Sequence, residues 1–131
     1  MLVLRTSQRE ALSSGEAASF LLRMTTHLRG HFPGATAGLD RETLLGLTRA
    51  ALHRARSFGL ASERDLCLYL NLCAELGWEL EEKEENGWVA ETLGDGSYGD
   101  PGDRLRWIYG EALRRQGVEA ANERRRASFL A

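Results

Sequence analysis

Residues 66–76 read Leu-Cys-Leu-Tyr-Leu-Asn-Leu-Cys-Ala-Glu-Leu, and no other stretch restricts the fold as much. Wound as a helix, this segment is apolar on nearly every side, so it must be covered on nearly every side. It is far shorter than the roughly 20 apolar residues a membrane span needs. The alternation in Leu66–Leu72 could also suit a strand. Ser62-Glu63-Arg64-Asp65 before it reads as a capping box with Asp65 in the place of Glu or Gln, and Gly77 after it is a helix stop. These flanks decide for a helix, and a helix of this kind belongs at the centre of a bundle.

Around this centre the chain offers helices to cover it. A first helix is expected from Thr6 or Ser7, with Glu10 completing a capping box on Ser7, to about Arg29, where Gly30-His31-Phe32-Pro33-Gly34 ends it. Its apolar face is Leu12, Phe20, Leu21, Met24 and Leu28. A second opens at Asp40 as N-cap, buries Leu44, Leu47, Thr48, Ala51, Leu52, Ala55 and Phe58, and stops at Gly59. A short helix over Val89–Leu93 begins near Asn86. Turn-rich residues 94–100 follow, and Asp100-Pro101 opens a last long helix with Leu105, Ile108, Tyr109, Ala112 and Leu113 on its face. Gly117 is expected to break that helix. The prediction is one all-α domain over residues 1–131, a compact bundle of about five helices with frayed ends at 1–5 and 118–131. A turn-rich acidic connection joins its third and last long helices.

That connection is Trp78-Glu79-Leu80-Glu81-Glu82-Lys83-Glu84-Glu85-Asn86-Gly87-Trp88, five glutamates and one lysine between two tryptophans. It lies at the middle of a charge pattern that the overall net charge of −2 conceals. Residues 1–60 carry +4, residues 61–103 carry −10 and residues 104–131 carry +4. A net acidic chain is a poor general nucleic-acid binder, whereas blocks of opposite sign favour electrostatic docking to a protein. The tryptophans are expected to face the core, Trp78 folding back onto the preceding helix, with the glutamates solvated between them. Trp78, Glu79, Glu81, Glu82, Glu84 and Glu85 are the candidate partner-binding residues.

Catalytic, metal and cofactor chemistry has little to stand on. His27 and His31 are four apart, but the pattern is His-Leu-Arg-Gly-His, without the glutamate of a zinc protease. Asp95, Asp100 and Asp103 miss the alternating oxygen ligands, the sixth-position glycine and the twelfth-position glutamate of a calcium loop, and suit a turn and a helix cap instead. The glycines of 94–99 lack the lysine of a phosphate loop, the serines lack a nucleophile frame, and no Cys/His pairing is suggested by position. No cofactor, metal site or enzymatic activity is therefore expected. Cys67 and Cys73, six apart on one helix, point about 120° from each other and are read as two buried reduced thiols. The Met1–Arg5 start is too short for a signal peptide, and no apolar run spans a bilayer. A bacterial cytoplasmic location is the expectation, without membrane contact. The Phe58–Ala61 turn between two helices resembles a DNA-reading helix pair, but its second helix is the most apolar in the chain and unsuited to a groove in DNA.

Several short pieces carry a family resemblance: Arg23-Met24, His27-Leu28-Arg29, Phe32-Pro33, Ala55–Leu60, Glu63-Arg64-Asp65, Tyr69-Leu70, Leu76-Gly77 and Trp88. Over about residues 5–113 the chain resembles small helical bacterial accessory proteins encoded beside type VI secretion spike, effector and effector-chaperone genes. In that group a Phe-Asp-x-Asp-Pro-like stretch leads to the tryptophan. Residues 78–85 here keep its acidity and lose its proline, which puts the identity of any partner of this segment in doubt. The resemblance implies an adaptor or co-chaperone that loads an effector through the effector itself or its chaperone. The alternative is an immunity protein covering a toxin's basic active site, and a DNA-binding regulator stands third.

Overall fold

The computed structural model describes the backbone of residues 2–80 and 82–130 and the side-chain surroundings of residues 15–80, 82–97 and 99–128. Among the described residues six α-helices follow in order: α1 Leu2–His31, α2 Pro33–Thr36, α3 Arg41–Ser57, α4 Glu63–Leu76, α5 Gly87–Gly94 and α6 Pro101–Leu130. Single 3-10 turns sit at Glu84–Asn86 and Gly96–Tyr98, and there is no strand among the described residues.

The all-apolar segment is the helix at the centre. α4 packs against α1, α3 and α6, and α1 also packs against α3. Leu66, Tyr69, Leu70, Leu72 and Cys73 are buried, most of them completely. Each fully buried leucine of this kind stabilises the fold by about 1.5–3 kcal/mol. The cover is open along one edge, where Cys67, Leu68 and Asn71 are half-buried. Phe20, Leu21, Met24 and Leu28 of α1 face this core, as do Leu44, Ala51, Leu52 and Ala55 of α3 and Leu105, Ile108 and Ala112 of α6.

Local signals set most of the helix ends. The Asp40 carboxylate accepts from the Thr43 N–H at 2.7 Å, and the Ser62 hydroxyl accepts from the Asp65 N–H at 3.1 Å. Asp100 accepts from the Asp103 N–H at 2.8 Å, just ahead of Pro101. At the end of α3 the Leu60 N–H reaches the Ala55 carbonyl and the Gly59 N–H reaches that of Arg56, a Schellman closure. It needs Gly59 at φ +88°, with a would-be Cβ only 3.0 Å from the Pro101 side chain. At the same end of the bundle, Gly102 lets α6 approach α4 closely. A Cβ there would sit 2.7 Å from an Asp65 carboxylate oxygen.

Four expectations are corrected. α1 begins at Leu2, so Ser7 and Glu10 lie inside the helix rather than at its start, and it runs past Gly30 to His31. The Pro33 segment forms the four-residue α2, because proline at a first helical position lacks only an N–H that would go unpaired there. α6 passes through Gly117 without a break. A single glycine costs a helix about 1 kcal/mol, which does not terminate it. Leu113, placed on the inner face of α6 by its spacing, is 44% exposed. Leu12 belongs to the residues whose side-chain surroundings are not described.

Candidate functional site: an acidic turn beside a tryptophan-lined groove

The acidic connection is fixed to the bundle by residues other than its charges. Gly77, at φ +110°, ends α4 and turns the chain sharply. Trp78 is half-buried, and its indole N–H donates to the Ala35 carbonyl at 3.4 Å. It reaches across to α2, while Arg54 of α3 donates to the Trp78 carbonyl at 3.4 Å. Leu80 is the deep anchor, with no exposed surface. A turn follows in which the Glu82 N–H donates to the Glu79 carbonyl, and the Asn86 N–H then donates to that of Lys83.

The candidate glutamates fall on the outside of this turn. Glu79, Glu82, Glu84 and Glu85 are exposed, and among the described residues none of the four side chains forms an ion pair or hydrogen bond. Glu81 lies outside the described residues. A leucine plug with carboxylates on both sides presents several negative charges from a positioned backbone, and the expectation of a merely solvated run is sharpened accordingly.

Both tryptophans pack against the core, as expected, but each is only half-buried. Trp88 opens α5 and is covered on two sides by α6. The Arg115 guanidinium lies over its ring, 4.0 Å from the centroid, and Trp107 meets it edge to face at 6.3 Å. Trp107 itself is 50% exposed. Beside Trp88 runs a groove of about 370 Å³ between the end of α4, the acidic turn and α6, lined by Glu75, Glu85, Asn86, Arg115, Gln116 and Glu119 among others. Sequence reasoning missed this groove, because its walls come from three separated segments.

A second cluster also escaped the sequence. His27 Nε2 lies 2.8 Å from Asn71 Oδ1 and 3.8 Å from Cys67 Sγ, so a Cys/His pair does exist in space. Both neighbours meet the same ring nitrogen. Burial pushes the Cys67 thiol up, so it stays protonated at neutral pH and is a poor nucleophile. Cys73 is buried and Cys67 only half-buried, which corrects the expectation of two buried thiols. The His27 and His31 rings stack, with centroids 4.4 Å apart. The loop aspartates are engaged locally: Asp95 accepts from Ser97, Asp100 from the Asp103 N–H, and Asp103 pairs with Arg106. No group of three or more His, Cys, Asp or Glu among the described residues is placed to hold a metal, and none of their helices is long and apolar enough to cross a membrane.

Compared with known proteins, the chain matches no family model, no curated protein and no solved structure.

Proposed function

We propose that this chain is a non-enzymatic, protein-binding accessory protein, an adaptor or co-chaperone that helps load a type VI secretion effector through the effector or its chaperone. The observation that carries the protein-binding part is the acidic turn. Four exposed glutamates, none of them ion-paired among the described residues, stand on a segment that Leu80 fixes to the core. Like charges held together this way repel and add nothing to folding, and a partner of opposite sign relieves the repulsion. Such a rim steers encounter and selects partners, while half-exposed aromatics such as Trp107 supply anchors. The secretion context rests on the resemblance of the short sequence pieces alone.

Affinity purification from the native cell, with identification of the bound protein, tests this. An effector or its chaperone should be captured, and replacing Glu82, Glu84 and Glu85 together by lysine should release it. Undiminished capture by that variant would remove the acidic turn from the interface. If the captured protein is a toxin that kills cells lacking this chain, the same surface serves an antidote and the adaptor reading fails.

A further inference from the structure

We infer that the groove beside Trp88 receives the arginine-rich end of α6 from a second copy of this chain, making a reciprocal dimer. The inference does not depend on the accessory role proposed above. Three observations meet here, one from the groove, one from the tail and one from their placement.

The groove is built for a guanidinium. Glu75, Glu85 and Glu119 put carboxylates around it, and Trp88 forms a wall. That wall already accepts an arginine, since Arg115 lies 4.0 Å over the indole. Asn86 adds a carboxamide to the same lining. It is only 8% exposed and lines the groove, yet among the described residues no hydrogen bond reaches its carboxamide. Its oxygen can accept from the N–H groups of an incoming guanidinium.

The tail is built for a groove of this kind. α6 is 30 residues long, about 45 Å at the usual rise per residue, and its second half leaves the bundle. From Gly117 to Ser128 every residue is exposed except the half-buried Ala121. Arg124, Arg125 and Arg126 have no ion pair among the described residues. A helical stretch of this length, polar on most sides and packed on nothing, is marginal by itself in water. A second helix packed along it would supply support that the bundle does not.

Placement identifies the second copy. Glu119 lines the groove and belongs to α6, and Arg124 follows it by about 7.5 Å along the same straight helix. The tail therefore carries its arginines away from its own groove. A two-fold axis near Asn122, midway between Glu119 and Arg125, sets two α6 ends antiparallel. Arg125 of each copy then meets Glu119 of the other, and the neighbouring arginines approach the partner's groove. Because tail and groove adjoin, the contact closes on itself as a dimer rather than running on as a filament.

Sedimentation of the full chain tests this. At low salt the mass should move from 14.6 kDa toward twice that value as concentration rises, and fall back at high salt. Replacing Arg124, Arg125 and Arg126 by glutamate should leave a folded monomer by circular dichroism. A second variant with Glu85→Arg and Glu119→Arg should also be monomeric, and mixing the two should restore a dimer through opposite charges. A wild-type chain that stays monomeric at low salt overturns the inference, even if the groove captures a synthetic arginine-rich peptide. So does a triple glutamate variant that still dimerises, or a mixture of the two variants that stays monomeric.

Discussion

Arg115 covers Trp88, its guanidinium carbon 4.0 Å from the ring centroid, while the edge-on Trp107 closes another side of the same indole. One arginine thereby shields an aromatic at the start of α5 from water without being buried itself. Replacing Arg115 by alanine should shift Trp88 emission to the red in a chain where Trp78 and Trp107 are phenylalanine. The stability loss should be about 0.5–1 kcal/mol, as for a partly exposed cation–π pair. An unshifted spectrum would mean that the guanidinium does not cover the ring in solution.

Leu80 is the most deeply buried anchor of the acidic turn. Leu80→Ala should cost about 2–5 kcal/mol in urea denaturation, because it empties a fully buried site. Glu82→Gln and Glu84→Gln, both exposed, should stay within about 0.5 kcal/mol of wild type. A small Leu80 effect would show that the turn detaches from the core at little cost.

The Schellman closure at Gly59 gives a backbone test. Gly59→Ala forces a side chain into positive φ and against Pro101, so the melting temperature should fall, with a cost of at least about 1–2 kcal/mol. An unchanged melting temperature would mean that this turn relaxes freely.

Glu111 sets a pH dependence. Hydrogen bonds from Arg114 and then Arg115 pull its carboxyl from the ordinary 4.5 down to about 2. A depressed folded value means that the stabilisation is complete above the unfolded value and is lost as pH falls through the folded one. The stability gap between wild type and Glu111→Gln should therefore be level above about pH 5 and close between there and pH 2. A gap that stays constant across that window would show the carboxyl to be unshifted.

The two thiols should differ in reactivity. In the folded protein iodoacetamide should modify Cys67 alone, with a rate that keeps rising above the ordinary thiol value because burial raises its pKa. In urea both cysteines should react. Mass spectrometry that finds Cys73 labelled in the native state would contradict its burial.

The helical caps were legible because each is a local event. Asp40, Ser62 and Asp100 each satisfy an N–H three residues on, so a short window of sequence contains both partners. The same is true of the acidic run, whose exposure follows from charge alone. Gly117 misled because propensity is a small term beside the continuity of a helix already packed through Leu105, Ile108 and Ala112. The groove and the His27–Cys67–Asn71 cluster were not legible. Their members lie about 40 residues apart or come from three segments, and no periodicity within one helix reports which faces will meet.

By itself the sequence determined the all-α class, the central place of α4 and the acidic character of the turn after it. Those follow from what a residue demands of any surroundings: apolar faces must be covered, and unpaired charges must meet water. Tertiary structure alone decided that Leu80 is the fully buried residue of the turn, and that Trp88 lies half-buried under Arg115. It also placed Asn86 and Trp88 in one groove ringed by carboxylates. Those depend on the relative rotation and spacing of packed helices, which side-chain shape selects only when all of them are present together.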